Sequence, residues 1–247
     1  MILYPTIEFL NGKPVSLRRG RIEEPQQWEV DPVETAMSFA EAGAEWMHVT
    51  DFDAMFGDDN NVELIGTIIR KAGIPVQVSG GFRTEERIRR YLDLGAGRIV
   101  MGTVATRYPG WVRSMTKYFP DQIVLSVDVW KGQIMVDAWR EACAIEPSAL
   151  IEEFAEVPLA AIKITDIDND IDATEASLGV ISGLAVHANA PVIASGLVHT
   201  VDDIARLKYV PNIAGALVGR ALVNGTLDLA EALAIAQGPR ERTAEFI

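Results

Sequence analysis

The chain has 247 residues, of which 49% are hydrophobic and 23% are charged, and its formal net charge at pH 7 is −13. This length and apolar content suit one large α/β domain with a substantial core. The acidic balance argues against nucleic acid as a partner, because binding a phosphate backbone needs a basic surface.

Cysteine content and hydropathy indicate the cellular compartment in which we expect the protein. Cys143 is the single cysteine, which excludes an intrachain disulfide and a multi-thiolate metal site. No apolar run has the length needed to span a bilayer, and the N-terminus lacks a signal-peptide pattern. We therefore expect a cytoplasmic protein with no membrane partner.

Short β-branched runs alternate with amphipathic stretches along the whole chain. Several runs, such as Ile99–Met101, are apolar throughout, which is typical of parallel strands covered on both faces. In chain order, we predict strands at 2–8, 45–50, 75–78, 97–101, 122–128, 159–165, 191–194 and 213–218. The predicted helices lie at 32–43, 59–72, 84–94, 107–118, 147–156, 174–187, 200–208 and 226–236, and three of them begin after the N-cap candidates Asp31, Thr84 and Thr200.

Three segments of the first half recur in the same order in the second half. The corresponding residues are Asp51 and Asp166, Ser79 and Ser195, and Gly102 and Gly219, at separations of 115, 116 and 117 residues. Eight βα units with a half-chain repeat predict an α/β fold, a (β/α)₈ TIM barrel built from two duplicated (β/α)₄ halves. A doubly wound sheet is the alternative, but it does not explain a four-plus-four duplication. No linker separates the halves, so we predict one domain, 1–247, with half-barrels at roughly 1–120 and 121–247.

Glycines follow four of the predicted strands, at the barrel end where TIM-barrel chemistry takes place. There, backbone amides approach a ligand closely, and helix N-termini present free N–H groups to a phosphate. Each turn alone is more often a tight connection without a ligand, but their pairing by the repeat favours two phosphate sites and a substrate with a phosphate at each end. The candidates are Gly81, Gly102 and Thr103 for one site, and Gly196, Gly219 and Arg220 for the other.

Two carboxylates end corresponding strands. Glu8 follows strand 1 and Asp128 follows strand 5, and such a pair across a barrel mouth can act as general acid and general base. The alternative is a pair of solvated or salt-bridged acids. Asp51 and Asp166 suit a bracing role better than proton transfer.

Other side chains at the strand ends are candidates for substrate binding. His48 either points into the barrel toward substrate or is a core histidine satisfied by a neighbour. Arg83 lies within reach of a phosphate, and His199 corresponds to it in the repeat. Trp139, after strand 5, stacks on a heterocycle or simply packs. Thr165 ends strand 6.

Six segments together resemble a known family over nearly the whole chain. They are Ile7–Gly12, Ala42–Asp51, Ser79–Thr84, Val127–Val129, Ile164–Ile167 and Val218–Leu222. They resemble the histidine-biosynthesis barrels, foremost the phosphoribosylformimino-aminoimidazole-carboxamide ribotide isomerase family and second its cyclase sister. The resemblance implies an Amadori rearrangement of an aminoaldose to an aminoketose, a substrate with a phosphate at each end, and no metal or organic cofactor.

The resemblance also implies roles for individual residues. Glu8 would be the base at the ribose C2 proton, and Asp128 the acid that protonates the ring oxygen. His48 and Thr165 would orient the substrate, and Trp139 would belong to a loop that covers it.

The chain departs from the family pattern at several positions. Glu8 replaces an aspartate, Ser79 stands at the first glycine of a Gly-Gly-Gly run, and Leu197 replaces a glycine. After strand 6, four acids lie within 168–175 where the family has a basic residue and flexible glycines, and acidic charge disfavours a nearby phosphate. Three hypotheses are therefore open: the isomerase itself, a paralogue acting on a different phosphorylated sugar or aminosugar, and a non-catalytic phosphate-ligand-binding barrel.

Overall fold

Eight parallel strands form a closed barrel in the computed structural model, which describes residues 1–168 and 173–237. Each strand pairs with the next along the chain, and the pairing of Ile2–Pro5 with Gly215–Val218 closes the ring. The predicted TIM barrel is confirmed. Barrel strands 1 to 8 are Ile2–Leu10, Met47–Asp51, Val76–Ser79, Arg98–Met101, Ile123–Trp130, Ala161–Asp166, Val192–Ser195 and Ile213–Val218.

The eight predicted helices surround the barrel, and the predicted caps form. Asp31 accepts hydrogen bonds from the Val33 and Glu34 amides at 2.8 and 2.9 Å, and Thr200 forms a reciprocal capping box with Asp203. The helices are Pro32–Glu41, Val62–Lys71, Glu85–Asp93, Pro109–Tyr118, Pro147–Glu153, Thr174–Ala185, Val201–Leu207 and Leu229–Gln237.

Seven short elements were not predicted, because segments of two to five residues carry no readable period. Four are the hairpin strands that follow barrel strands 1 and 5, and three are single-turn helices after barrel strands 2, 4 and 8. The hairpins after strands 1 and 5 and the helices after strands 4 and 8 match between the halves, so the duplication extends into these loops. They are Lys13–Ser16, Gln26–Gln27, Gln133–Val136 and Glu141–Cys143, and Phe52–Met55, Thr103–Arg107 and Arg220–Val223.

The apolar residues form two main layers. A large cluster fills the space between strands and helices, and a smaller one plugs the barrel interior with Tyr4, Val100, Val124, Ile193 and Leu217 among its members. Val100 and Leu217 of this smaller cluster also line a cavity that opens at the C-terminal ends of the strands. Within the described ranges, no helix combines the length and the apolar character needed to cross a membrane.

Candidate active site

One cavity opens at the C-terminal ends of the barrel strands and gathers nearly all of the predicted site residues. The exception is His48, which does not line it. The predicted residues that line the cavity are Glu8, Gly81, Arg83, Gly102, Thr103, Asp128, Trp139, Thr165, Gly196, Gly219 and Arg220.

Asp128 is held by three donors. The Lys163 ammonium and the Ser126 hydroxyl donate to Oδ1 at 3.1 and 3.0 Å, and the Trp139 indole N–H donates to Oδ2 at 2.9 Å. Burial by itself raises the pKa of Asp128, but the Lys163 charge and the hydrogen bonds from Trp139, Lys163 and Thr165 outweigh burial and hold it below its ordinary value. Asp128 is therefore an ionised carboxylate at neutral pH.

Glu8 lies near the end of barrel strand 1, and its pKa is shifted in the direction opposite to that of Asp128. Burial raises its pKa from 4.5 to about 7, and the charges of Lys163 and Arg220 and the Leu17 amide offset this only in part. Near neutral pH, the Glu8 carboxyl therefore keeps its proton over much of the range in which Asp128 is charged. Two carboxyl groups whose environments separate their proton affinities are what acid–base catalysis requires.

Lys163 lines the same cavity and was missed by the sequence analysis. Its ammonium donates to Asp128 and, at 2.8 Å, to the Thr165 hydroxyl. The signal was present, since a lysine interrupts the apolar run Ala160–Ile164 two residues before Thr165 and therefore shares a strand face with it.

His48 lies buried within the barrel wall. Its Nδ1 accepts from the Gln77 amide at 3.0 Å, which leaves Nε2 to donate to the hydroxyl of Thr50 or Ser79, at 3.0 and 3.2 Å. Burial and the charge of Lys163 lower the pKa of His48 to about 3, against a smaller opposing effect of Asp128, so the ring is neutral. Of the two interpretations, this geometry matches the histidine satisfied by its neighbours; Thr50 and Ser79 line the cavity in its place.

Trp139 ends an unusual turn over the cavity. Asp137, Ala138 and Trp139 all have positive φ, at 51°, 55° and 63°, although none is glycine. The Asp137 amide donates to the Thr103 hydroxyl at 2.8 Å, and the Trp139 ring packs edge-on against Phe52 with centroids 5.6 Å apart. Trp139 thus contacts both Asp128 and the apolar wall of the cavity.

The first-half glycine turn is tightly constrained. Gly80 and Gly81 have φ of +120° and +67°, and a Cβ on either would lie 2.2 Å from a backbone oxygen, that of Asp51 or Ala54. Only glycine fits at these two positions. The Arg83 guanidinium donates to the Met55 carbonyl at 2.8 Å, which ties this turn to the loop after barrel strand 2.

The turns after barrel strands 4 and 8 share a backbone conformation but carry different side chains. Gly102 and Gly219 have nearly equal dihedrals, φ −109° and ψ −92° against φ −117° and ψ −90°, and each precedes a single-turn helix. The following residue is Thr103 in the first half and Arg220 in the second.

The duplicated aspartates brace loops, as the sequence predicted. Asp51 accepts from the Ala54 amide at 3.2 Å and from the Asn61 amide group at 2.8 Å. Asp166 accepts from the Ser177 hydroxyl at 2.9 Å.

The acidic segment 168–175 is described only at its two ends. Glu175 pairs with Arg206 on the exposed surface at 3.2 Å. The segment's Asp170 and Asp172 lie outside the described residues.

No group of three or more His, Cys, Asp or Glu side chains within 1–168 and 173–237 has the arrangement of a metal site. The fold and the cavity define a TIM barrel with a carboxyl pair of unequal proton affinity at its mouth. The profile of the family described as histidine biosynthesis protein matches residues 2–228, and the chain belongs to this family.

Three relatives share this similarity over essentially their full length. A 1-(5-phosphoribosyl)-5-((5-phosphoribosylamino)methylideneamino) imidazole-4-carboxamide isomerase 2 of Ruegeria pomeroyi is 58% identical over 246 residues, covering 100% of both chains. The protein of the same name numbered 1 in Ruegeria sp. strain TM1040 is 52% identical over 247 residues, again with 100% coverage of each. The isomerase of Caulobacter sp. strain K31 is 38% identical over 239 residues, which are 96% of this chain and 99% of the relative.

Proposed function

We propose that this protein is an aminoaldose–aminoketose isomerase of histidine biosynthesis that acts on a bis-phosphorylated ribosyl-aminoimidazole-carboxamide. The observation that carries the proposal is the pair Glu8 and Asp128 at one cavity, with the pKa of Glu8 raised and that of Asp128 lowered. Full-length identity to isomerases, 58% in one case, supports the same reaction and disfavours the non-catalytic barrel.

An Amadori rearrangement needs one acid and one base at different atoms. Protonation of the ring oxygen, with the amine lone pair forming a C1=N bond, breaks the C1–O bond and opens the sugar. The base then removes the C2 proton, which gives an enolamine, and delivers a proton to C1 while the C2 hydroxyl loses its proton to solvent and becomes a carbonyl, which gives the aminoketose. The sum of these steps moves hydrogen within the substrate and needs no external oxidant.

The charge states favour one allocation of these steps. Protonated Glu8 suits the ring oxygen, and ionised Asp128 suits the C2 proton. This allocation is the reverse of the roles implied by the family resemblance, where Glu8 is the base.

Deuterium exchange separates the two allocations. Interconversion of the aminoketose and the enolamine exchanges the C1 proton with solvent and needs the base but not the ring-oxygen acid. In D₂O, we expect Glu8→Gln to exchange deuterium into the aminoketose without net ring closure, and Asp128→Asn to lose the exchange. The opposite pattern would support Glu8 as the base.

The phosphate and substrate contacts are part of the same proposal. Gly81, Gly102 and Thr103 hold one phosphate by backbone amides and a hydroxyl, and Gly196, Gly219 and Arg220 hold the other. The remaining substrate contacts come from Arg83, Trp139 and Thr165, with His48 acting through Thr50 and Ser79. A cytoplasmic location and independence of cofactors and nucleic acid stay predictions of the sequence.

Turnover tests the proposed function directly. The purified protein should convert the aminoaldose to the aminoketose, and its gene should restore growth to a histidine auxotroph that lacks the isomerase. Asp128→Asn is the negative control in both assays. A folded protein that does neither would favour a paralogue with another phosphorylated sugar or aminosugar as substrate.

A further inference from the structure

Lys163 is a cation within the barrel wall that faces the reacting end of the cavity. It lies on barrel strand 6, its side chain is only 10% exposed, and its neighbours Ile162 and Ile164 are buried apolar residues. Burial removes most of the hydration of an ammonium, which is unfavourable unless other groups replace it. Asp128 and Thr165 supply that replacement, at 3.1 and 2.8 Å from Nζ.

The charged and titratable groups around Lys163 come from four other elements of the barrel. Glu8 lies on strand 1, His48 on strand 2 and Asp128 on strand 5, and Arg220 follows strand 8. The Lys163 charge acts on the first three, but only Asp128 forms an ion pair with it. One cation thus acts on both carboxyl groups, but it is in hydrogen-bond contact with the carboxylate of Asp128.

We propose that Lys163 is a positioning residue, which orients the Asp128 carboxylate toward the substrate and keeps it ionised, so that Glu8 carries the exchangeable proton of the pair. This inference rests on the proposed function and adds Lys163 to Glu8 and Asp128 as a group that the reaction needs. The Trp139 indole fixes the second carboxylate oxygen, so that Asp128 is held from both sides.

Three variants isolate the role of the charge. Lys163→Met keeps the length of the side chain and removes the ammonium, whereas Lys163→Arg keeps a cation. Lys117→Met is the matched control, because it removes a lysine from an exposed helix end. The two readouts are the titration of the Asp128 carboxyl carbon by ¹³C NMR and the pH dependence of kcat and KM.

For Lys163→Met, we expect the Asp128 titration and the acidic limb of kcat to move up by about one to three pH units. We expect kcat to fall more than KM rises, Lys163→Arg to recover most of the shift, and Lys117→Met to match the wild type. An Asp128 titration that stays within 0.3 unit of wild type in Lys163→Met (roughly the resolution of such a titration) would overturn the proposal, since a structural role alone predicts no shift.

The titration of Asp128 remains informative if a variant does not fold or if the protein lacks isomerase activity. Should Lys163→Met not fold, the wild-type titration is the second measurement, because the inference requires Asp128 to titrate below the ordinary range of an aspartate. A wild-type Asp128 that titrates within or above that range contradicts the inference. The NMR result is independent of turnover, so absence of isomerase activity would count against the proposed function and leave the role of Lys163 to be decided by titration.

Discussion

Gly80 in the first half and Gly196 in the second follow equivalent strands, and both lie against the strand-end aspartate of their own half. A Cβ on Gly80 would lie 2.2 Å from the Asp51 carbonyl oxygen, whereas one on Gly196 would lie 3.4 Å from that of Asp166. The first-half turn is closed around its backbone, and the second-half turn has room. Duplication has thus kept the path of the chain and let its packing diverge.

The same comparison applies to the side chains. Thr103 and Arg220 occupy equivalent positions, as do Glu8 and Asp128, yet the second half has the guanidinium and the carboxylate paired with lysine. The first half also presents the Arg83 guanidinium to the cavity, so the difference in charge is confined to these equivalent positions. At these positions, similar backbones carry different charges.

The largest expected effect sharpens the contrast between the two carboxyl groups. Asp128→Asn should lower kcat by about 10²- to 10⁴-fold, the range of a general acid or base, while the melting temperature shows a folded barrel. Asp93→Asn, on an exposed helix, is the control and should retain wild-type kinetics. Full activity of Asp128→Asn would mean that the acid–base pair is wrongly assigned.

The difference in packing between the Gly80 turn and the Gly196 turn can be tested with one substitution in each. Gly80→Ala should lower the free energy of unfolding by about 3–5 kcal/mol, because its Cβ overlaps a carbonyl oxygen at a strained φ. Gly196→Ala meets only the strain of a positive φ and should lose about 1–2 kcal/mol. Urea unfolding measures both, and equal losses would show that the turns do not differ in packing.

The asymmetry of the phosphate contacts predicts unequal effects on substrate binding. Arg220→Met removes a charge-assisted contact and should raise KM by about 10- to 100-fold. Thr103→Val removes a neutral hydroxyl and should raise KM by about 2- to 10-fold. A larger effect at Thr103 would place the stronger phosphate contact in the first half.

Glu8 should make the stability of the folded protein depend on pH. Below pH 4.5, its carboxyl is protonated in folded and unfolded chains alike; as pH rises toward and through 7, the folded state must bury a charge that the unfolded state leaves in water. The wild type therefore loses stability over this window, and Glu8→Gln does not. Because the cavity admits solvent, we expect Glu8→Gln to gain only about 1–3 kcal/mol at pH 8 and almost nothing at pH 4.

Urea unfolding at both pH values measures that gain. Glu156→Gln, at an exposed position, should show no such difference between the two pH values. A gain for Glu8→Gln that is equal at pH 4 and pH 8 would contradict the raised proton affinity of Glu8.

The barrel was predictable because apolar strand runs and helix caps are local sequence patterns, and because the half-chain repeat indicates two sets of four βα units. The extent of one domain, 1–247, and the boundary near residues 120 and 121 stay predictions. The charge states of Glu8 and Asp128 were not predictable, since that of Glu8 depends chiefly on burial and that of Asp128 on burial opposed by Lys163, which is distant from both in sequence. His48 shows the same limit: the sequence placed it on the strand, but only the neighbours Gln77 and Ser79 determine what its ring contacts.

The hydroxyl of Thr103 joins the two halves where barrel strands 4 and 5 meet, because it accepts the Asp137 amide of the turn that positions Trp139. A hydroxyl that accepts one hydrogen bond and donates another becomes polarised, and each bond strengthens the other. A phosphate that accepts the Thr103 proton would therefore stabilise the strained turn 137–139. Thermodynamic reciprocity then requires that the ordered turn raise phosphate affinity by the same factor, so in the proposed function the Thr103 contact and the turn that carries Trp139 would bind substrate cooperatively.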